Sequence, residues 1–395
     1  MSEKPTGRVR LIRGREQILL AGYLWIYAGH IEDVAGEPSP GDLVDVCTHS
    51  GRIIGRGFFN SHSKIRVRLL TGRDEPLDNA FWTKRISRAL ALRRRVVSDT
   101  NAYRLVHGES DLLPGLIVDR YGDVLVMQML SFGMDRRKER LADLLMKETG
   151  ATTVYLRNDA HARTLEGLPV EQGFLRGEGA TTIDIYEGRA RFTVDIEHGQ
   201  KTGWFCDQRE NRLAAASLAD GAAVLEAFCH TGAFGIHAAL YGAASVLGLD
   251  VSRDAVTMAR EHAARNKVNE RCEYREADAF EELRRIERVG DRFDLVVLDP
   301  PSFARTKQAV PQALAGYKQI NIRALRLVGP EGFLVSCSCS HHVSEEQFWS
   351  MLQDAARDAK RQLRLVERRS QARDHPILAA MPETRYLKCF ILQAL

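Results

Sequence analysis

The chain has 395 residues, of which 44% are hydrophobic and 27% charged, and its formal net charge at pH 7 is +4. A chain of this length exceeds one ordinary hydrophobic core, so two or three globular domains are expected. The sequence shows no signal-peptide pattern and no apolar run of membrane-spanning length, which predicts a cytoplasmic protein without a membrane partner.

Residues 1 to about 72 are predicted to form a small all-β module. The segments "GDLVDVCT" and "KIRVRLL" alternate, and glycines interrupt "GRIIGRGFFN". In an extended strand, Lys64, Arg66 and Arg68 would project from one face. Within the first hundred residues one more basic cluster precedes these residues and one follows them: Arg8, Arg10, Arg13 and Arg15, and Lys84, Arg85, Arg88, Arg93, Arg94 and Arg95. Three clusters favour a polyanion partner, although each cluster alone is equally typical of a solvated surface.

The middle of the chain is predicted to be an α+β domain. Residues 80–97 show helical spacing, "GLIVDRYGDVLVMQML" supplies strand candidates, and "DRRKERLADLLMKETG" reads as a helix that ends at Gly150. Nothing in this stretch identifies a chemistry by itself. We place the domain boundaries at residues 1–74, 75–188 and 189–395.

From about residue 190 the pattern becomes a strict alternation of strands and helices. The predicted strands are "AAVLEAF", "SVLGLD", "CEYREAD", "FDLVVLD" and "GFLVSCS", each separated from the next by a helical segment. Alternating βα units imply a parallel, doubly wound, Rossmann-like sheet. A ligand is expected at the carboxyl ends of its strands.

Four successive strands end at or near an acid, and these acids are Glu226, Asp250, Asp278 and Asp299. The glycines after the first strand, Gly232 and Gly235, do not form the G-x-G-x-x-G pattern of pyrophosphate-binding turns. A rim of carboxylates suits a ligand with a cationic centre, a ribose diol and an exocyclic amine. S-adenosylmethionine has all three, and Glu226, Asp250 and Asp278 would face them in that order. The alternative is that these acids only cap helices.

The string "DPPSF" follows a strand with an almost continuous apolar run. Pro300 and Pro301 fix the backbone and remove two N–H donors, which predicts a stiff turn presenting the Asp299 carboxylate and the Phe303 ring. Phe303 could then stack on a flat substrate such as a nucleic-acid base. The alternative is a turn that merely ends the strand.

The next strand ends in "VSCSCS", where alternation puts Cys337 and Cys339 on the same face. A thiolate that adds to carbon-6 of a pyrimidine makes carbon-5 nucleophilic toward a methyl donor, and Asp299 could protonate ring nitrogen 3. Cys339 lies nearer the tip and is the candidate nucleophile. Packing is the alternative for either thiol. A metal site with His341 and His342 lacks the usual paired spacing, so no metal is expected.

These segments resemble a known family along nearly the whole chain. "VLEAFCHTGAFG", "LGLDVS", "ADAF", "VVLDPPSFARTK" and "VSCSCS" resemble class I S-adenosylmethionine-dependent methyltransferases, and more narrowly the bacterial family that makes 5-methylcytosine in large-subunit (23S) ribosomal RNA. "LWIYAGHI" and "GRGFFN" resemble a PUA domain, an RNA-binding β-barrel. "KTGWFCDQRENR" resembles the entry to that family's catalytic domain.

The resemblance implies roles for particular residues. Cys339 would be the nucleophile and Asp299 would sit at the target base. The cofactor would be held by Glu226, Asp250, Asp278, Gly232, Gln208 and Arg212. The predicted substrate contacts are Pro300, Phe303, Lys307, Lys64 and Arg66. The partner would be 23S ribosomal RNA or a large-subunit assembly particle, and a homodimer is one arrangement that the resemblance suggests.

One departure leaves alternatives open. Other cytosine-5 RNA methyltransferases usually carry a second cysteine at the motif equivalent to "DPPSF", whereas this chain has Ser302 there and no cysteine. The base that assists product release is therefore not identified. An RNA methyltransferase acting on a guanine or adenine nitrogen, or a non-catalytic RNA-binding assembly factor, are the competing functions.

Overall fold

The protein is described by a computed structural model over residues 3–395, which separate into two compact units. Unit 1 comprises the described residues up to Ile185, Thr193–Cys206 and Arg373–Thr384. Unit 2 comprises Tyr186–Phe192, Asp207–Ala372 and Arg385–Leu395. The chain therefore passes between the units several times, and the three-domain division at residues 74 and 188 stays a prediction.

Unit 1 begins with a six-stranded, mostly antiparallel sheet, which confirms the predicted β module. Its strands are β1 (Gly7–Leu11), β2 (Trp25–Tyr27), β3 (Ile31–Ala35), β4 (Leu43–Cys47), β5 (Ile53–Phe59) and β6 (Ile65–Thr71), with a short helix α1 (Glu16–Leu20) after β1. The strand order is β2-β6-β5-β4-β1-β3. In β1 the buried residues alternate, with Val9 and Leu11 inaccessible to solvent, whereas all five residues of β4 are buried.

A five-stranded sheet with helices follows in the same unit. Its elements are α2 (Asn79–Val96), β7 (Ala102–His107), β8 (Leu116–Tyr121), β9 (Val124–Met129), α3 (Phe132–Asp135), α4 (Lys138–Thr149), β10 (Thr153–Asn158), α5 (Ala162–Leu165) and β11 (Glu171–Arg176). Asp78 caps α2, and Gly150 ends α4 with φ of 71°. The apolar face of α2 predicted from spacing is buried against this sheet.

Unit 2 contains a seven-stranded sheet, which confirms the predicted doubly wound architecture. A hairpin of β12 (Thr182–Glu187) and β13 (Ala190–Asp195) precedes it. The unit's elements are then α6 (Arg209–Ala216), β14 (Ala223–Ala227), α7 (Ala233–Leu240), β15 (Ser245–Asp250), α8 (Arg253–Arg265), β16 (Cys272–Glu276), α9 (Ala279–Val289), β17 (Phe293–Leu298), α10 (Val310–Leu327), β18 (Val328–Ser338), α11 (Glu345–Ala359), β19 (Leu363–Arg369) and β20 (Lys388–Ala394).

The strand order of this sheet is β16-β15-β14-β17-β18-β20-β19. The first five strands are parallel, and β20 runs antiparallel to both β18 and β19. The central strands are apolar because they are covered on both faces, and Leu295 to Leu298 are essentially inaccessible to solvent. Across the described residues, no helix has the length and apolar character that spanning a bilayer requires.

Close packing of β15 on β16 explains a glycine inside a strand. A Cβ atom at Gly248 would lie 2.3 Å from Cδ1 of Tyr274 and 3.2 Å from Sγ of Cys229. The Tyr274 ring is fully buried, and its hydroxyl donates to the Gly232 carbonyl at 3.2 Å. Gly248 therefore makes room for the ring whose hydroxyl holds the turn after β14.

We expect Gly248→Ala to destabilise unit 2 by ~1–3 kcal/mol, because a buried aromatic ring would have to move. Gly329→Ala is the matched control in β18, since its Cβ would meet only the Phe293 carbonyl at 3.6 Å. Urea unfolding midpoints of the two variants and the wild type measure the difference. Equal midpoints for the two variants would contradict the packing role of Gly248.

Candidate active site

The carboxyl ends of the five parallel strands of unit 2 lie along one edge of its sheet. Ala227 at the end of β14 pairs with Leu249 on one side and Leu298 on the other, and Leu298 pairs in turn with Ser336. The loops that follow these strands therefore meet at this edge. The fold brings together the acids, the Pro-Pro turn and the cysteines that the sequence distributes over more than a hundred residues.

Glu226 lies in β14 and is only 2% exposed. Its carboxylate accepts the backbone N–H groups of Phe234 at 3.2 Å and Gly235 at 2.8 Å, at the start of α7. Burial raises the pKa of Glu226 to about 8 despite these donors and the nearby Arg212. A buried carboxyl that ionises with difficulty is a group that a cationic ligand would stabilise in its charged form.

Asp250 and Asp278 occupy the ends of the next two βα units. The half-buried Asp250 carboxylate accepts from the His230 N–H at 2.8 Å and from the Ser252 N–H at 3.0 Å, so it connects two loops of the rim. The exposed Asp278 is the N-cap of α9 and accepts from the Glu281 N–H at 3.0 Å. Capping, the alternative reading of these acids, is thus one of the functions of Asp278.

Gly232 and Gln208 lie at the same rim. Gly232 is the N-cap of α7 with φ of 78°, a left-handed conformation in which a Cβ would also meet the Tyr274 hydroxyl at 2.7 Å. The buried Gln208 amide donates to Oδ1 of Asp299 at 2.9 Å and accepts from Asn211 at 2.7 Å. Gln208 therefore orients the Asp299 carboxyl.

Arg212 takes part in a buried ion pair. Its Nη1 atom donates to both oxygens of Glu187, at 3.0 and 2.9 Å, and His237 Nε2 lies 3.0 Å from Glu187 Oε1. Burial alone would raise the pKa of Glu187, but Arg212 and His237 lower it to about 2. The structure thus shows Arg212 joining α6 to the hairpin and α7, close enough to Glu226 to affect its pKa.

The turn after β17 carries Asp299, Pro300 and Pro301. Asp299 is half-buried and Pro300 is buried, while Pro301 faces solvent. The half-buried Phe303 ring packs 4.5 Å from the Tyr317 ring, centroid to centroid. Lys307 is exposed at the start of the short 3-10 helix Lys307–Ala309.

The hydroxyl of Ser340 joins this turn to the loop after β18. It lies 3.0 Å from the Ser302 hydroxyl and 2.8 Å from the Tyr317 hydroxyl, and it accepts from the Ala304 N–H at 3.3 Å. Ser340 itself is buried. The residue next to Cys339 is therefore fixed to the segment that follows Asp299, which positions the two loops relative to each other.

The two cysteines of "VSCSCS" have different environments. Cys337 is fully buried opposite Cys389 of β20, and its hydrogen bond to Cys389 together with burial raises its pKa well above the usual range. Cys339 follows the last residue of β18 and is partly exposed. A thiol that reacts with an external substrate must be accessible, so Cys339 is the better candidate.

The basic residues predicted to contact a polyanion fall in unit 1. Lys64 is exposed, and Arg66 is partly buried and donates to the Asn60 and Ser61 carbonyls. Arg68, by contrast, bridges Glu109 and Glu166, each at 3.1 Å. On α2, Arg85 and Arg93 are buried, whereas Lys84, Arg88, Arg94 and Arg95 face solvent. Some of the basic residues predicted to contact a polyanion are therefore engaged in contacts within the protein.

Sequence patterns did not identify three residues near Cys339. Ser340 and Tyr317 lie in the hydroxyl cluster described above, and Lys388 donates to the Ser340 carbonyl. Ser340 was visible in "SCS" as a neighbour of the candidate nucleophile, but its partners come from distant segments. For Lys388 the one available signal was a lysine at the start of the apolar strand "KCFIL".

Within residues 3–395, no group of His, Cys, Asp and Glu side chains is arranged to hold a metal ion. The cysteines described there form no disulfide. What the rim offers instead is carboxylates, backbone amides and a glycine turn. Carboxylate acceptors at the tips of β14, β15 and β16 fit hydroxyl, amine and cationic groups, and they disfavour a pyrophosphate.

Two family models match the chain. A PUA-like domain matches residues 9–72, and the S-adenosylmethionine-dependent methyltransferase model matches residues 168–389. The second match covers more than half of the chain and includes the whole rim described above. S-adenosylmethionine is therefore the cofactor, as the carboxylate rim predicts.

Curated relatives match over nearly the full length. "Ribosomal RNA large subunit methyltransferase I" of Shewanella amazonensis is 42% identical over 386 residues, covering 96% of this chain and 98% of the relative. The protein of the same name from Tolumonas auensis is 39% identical, covering 98% of this chain and 99% of the relative.

Two solved structures share the fold. A candidate methyltransferase complexed with SAH superposes with a TM-score of 0.84 at 19% identity, covering 98% of this chain and 99% of that chain. A candidate S-adenosylmethionine-dependent methyltransferase from Streptococcus mutans gives a TM-score of 0.83 at 18% identity, with the same coverage. At these identities the likeness concerns the fold alone.

We expect Glu187→Gln to destabilise unit 2 by ~3–5 kcal/mol at pH 7, because Arg212 would be left as a buried charge. The folded pKa of Glu187, about 2, lies below its unfolded value, so its carboxylate contributes stability above about pH 4.5 that is lost as pH falls toward 2. Urea unfolding at pH 7, 5 and 4 measures both effects.

The variant should lose less stability than the wild type on going from pH 5 to pH 4. Glu367→Gln is the control, since Glu367 is exposed on β19 and its removal should cost no more than about 0.5 kcal/mol. Equal stability of Glu187→Gln and the control at pH 7 would mean that the ion pair contributes nothing.

Proposed function

The chain belongs to the S-adenosylmethionine-dependent methyltransferase family, and from this premise we propose that it methylates carbon-5 of a cytosine in large-subunit (23S) ribosomal RNA. The general activity, methylation of large-subunit ribosomal RNA, is supported by relatives 42% identical over nearly the full length. The choice of carbon-5 and a covalent Cys339 adduct goes further. It is supported by the chemistry of the loops after β17 and β18.

A single observation carries the proposal. Cys339 is partly exposed, and the next residue, Ser340, is hydrogen-bonded to Ser302 and Ala304 of the segment that follows Asp299. A thiol and a carboxyl thus belong to two loops that are fixed to each other at the ligand-binding edge of the sheet. Methylation of a ring nitrogen needs no thiol there, whereas methylation of carbon-5 does.

The cofactor site supplies an electrophilic methyl group. The Cys339 thiolate adds to carbon-6 of the cytosine, and the electrons of the carbon-5–carbon-6 double bond become available at carbon-5 for bonding to that methyl group. Loss of the carbon-5 proton to a base then re-forms the double bond and expels the thiolate. Asp299, oriented by Gln208, would hydrogen-bond or protonate ring nitrogen 3 and so favour the addition.

The remaining predicted contacts would bind the RNA around the target cytosine. The Phe303 ring, supported by Tyr317, offers a stacking surface, while the exposed Lys307 and Lys64 would contact phosphates. Arg66 of unit 1 would be a further phosphate contact. The partner is ribosomal RNA, free or in an assembly particle, and a homodimer remains an expectation.

The test is covalent trapping on ribosomal RNA that contains 5-fluorocytidine. Fluorine cannot leave carbon-5 as a cation, so the enzyme should remain bonded to the RNA after methyl transfer. We expect a denaturation-resistant complex with the wild type and none with Cys339→Ala. Cys337→Ala is the matched control two residues away and should keep the adduct.

Mass mapping of ribosomal RNA from cells that lack the protein should show one lost methyl group on a cytosine. Methyl transfer that survives Cys339→Ala would instead favour a nitrogen methyltransferase. Cofactor binding without any methyl transfer to RNA would favour an assembly factor. Either result would end the cytosine-5 proposal.

Cofactor affinity should depend on pH through Glu226. The raised pKa of about 8 means that this carboxyl is mostly protonated at pH 7 in the free protein. A cationic cofactor favours the carboxylate form of Glu226, so cofactor binding should release a proton. As the pH is raised toward 8, cofactor affinity should increase by up to about tenfold per pH unit, and above pH 8 it should level off. Calorimetry in two buffers of different ionisation enthalpy measures the released proton.

Glu226→Gln should bind S-adenosylmethionine at least about tenfold more weakly at pH 8, since an opposite charge is lost. It should also release fewer protons than the wild type. Glu367→Gln, which changes an exposed carboxyl of the same unit, controls for net charge. Identical proton release by Glu226→Gln and the wild type would show that Glu226 does not face the cofactor's cationic end.

A further inference from the structure

A buried lysine is hydrogen-bonded to the residue that follows the candidate nucleophile. Lys388 is the first residue of β20 and only 4% exposed. Lysine is rarely buried to this degree, because desolvating an ammonium ion is costly unless polar groups compensate. A lysine in this position therefore calls for an explanation beyond packing.

The hydrogen bonds of Lys388 fix its amine at the end of β18. Ser338, the last residue of β18, is the antiparallel partner of Lys388. The Nζ atom donates to the Ser340 carbonyl at 2.5 Å and to the Tyr386 carbonyl at 2.8 Å. One acceptor carbonyl therefore belongs to the residue after Cys339, and the other belongs to the segment that immediately precedes β20.

Three charged or ionisable groups act on the Lys388 amine. Burial lowers the pKa of Lys388 to about 8, while Cys339 and Glu345 raise it and Arg385 lowers it. Glu345 and Arg385 are paired with each other, so their effects largely offset. On α10, burial raises the pKa of Tyr317, hydrogen bonds with Ser338 and Ser340 lower it, and the charge of Cys339 raises it to a smaller extent.

Electrostatic coupling between two groups is reciprocal. If a negative Cys339 stabilises the ammonium form of Lys388, the ammonium stabilises the thiolate by the same free energy. Tyr317, which is neutral at pH 7, offers a hydroxyl but no positive charge. Lys388 is accordingly a buried cation whose charge acts on the Cys339 thiolate.

We propose that Lys388 is a positioning residue whose buried ammonium stabilises the thiolate of Cys339 at the end of β18. The inference rests on the proposed role of Cys339. The thiol loses its proton to water, the sulfur keeps the electron pair, and Lys388 retains its own proton throughout. The same charge stabilises the thiolate again when the carbon-6–sulfur bond breaks and both electrons return to sulfur.

The pH range of this effect follows from the pKa of Lys388. Below about pH 8 the amine is protonated and its charge acts on the thiol. As pH rises through 8 the ammonium is lost and so is the stabilisation. The effect is therefore present at neutral pH, where an ordinary thiol with a pKa of about 8.5 would be almost entirely protonated.

The test measures the pH dependence of alkylation at each cysteine of the native full-length protein by peptide mass spectrometry, with iodoacetamide as the probe. Cys339 and Cys272 are the partly exposed thiols among the described residues. Burial raises the pKa of Cys272 to about 12, so it serves as an internal reference. The variants are Lys388→Met and Lys388→Arg, with Lys318→Met as the control, because Lys318 pairs with Asp358 at 2.8 Å.

In the wild type we expect Cys339 to reach half-maximal alkylation below about pH 8.5, the value of an ordinary thiol. Lys388→Met should raise this midpoint by about one pH unit or more. Lys388→Arg should restore most of the difference, since it keeps the charge. Lys318→Met should leave the Cys339 midpoint unchanged, and none of the variants should move Cys272.

A wild-type midpoint at or above about 8.5 overturns the inference, and this measurement needs no variant. An unchanged Cys339 midpoint in a folded Lys388→Met variant also overturns the inference. Lys388 would then serve only to hydrogen-bond the Ser340 carbonyl. The readout involves no RNA. Failure here would therefore leave the trapping experiment intact, and failure of trapping would leave the alkylation result intact.

Discussion

The parallel pairing of β17 with β18 is the constraint on which the candidate site depends. It places Leu298 beside Ser336, so the loops after the two strands begin at the same edge of the sheet. Ser340 then connects them through the Ser302 and Tyr317 hydroxyls. Without this registration, a carboxyl from one loop and a thiol from the other would have no fixed relation, and a reaction that needs both could not be catalysed.

The buried ionisable side chains at the ligand-binding edge of the unit 2 sheet are compensated by a few hydrogen bonds and ion pairs. Arg212 and His237 both bind Glu187, while Glu226 is held by two backbone amides and ionises with difficulty. A carboxylate rim therefore carries less negative charge in the free protein than its composition suggests. Binding of a cation would complete the compensation, which links cofactor affinity to proton release and makes the site selective for a positively charged ligand.

The environments of the two neighbouring thiols also differ in burial and in nearby charge. Cys337 and Cys339 are two residues apart, yet one is paired with Cys389 inside the sheet and the other emerges past the strand's end. Burial protects the first from reaction, while Lys388 from the neighbouring strand bears on the second. Reactivity at this site is thus a property of the β18–β20 pair rather than of the "SCS" string.

The sequence by itself determined the alternating strands and helices, the acids at the strand tips and the stiffness of the Pro-Pro turn, because these depend on local periodicity and backbone chemistry. Only the tertiary structure decided that Arg68 and Arg93 serve internal ion pairs, that Arg212 binds Glu187, and that Lys388 donates to the Ser340 carbonyl next to Cys339. Those contacts join residues that lie between 18 and 98 positions apart in the sequence. No local pattern specifies them, since a charged side chain in a sequence looks the same whether folding leaves it in water or buries it against a partner.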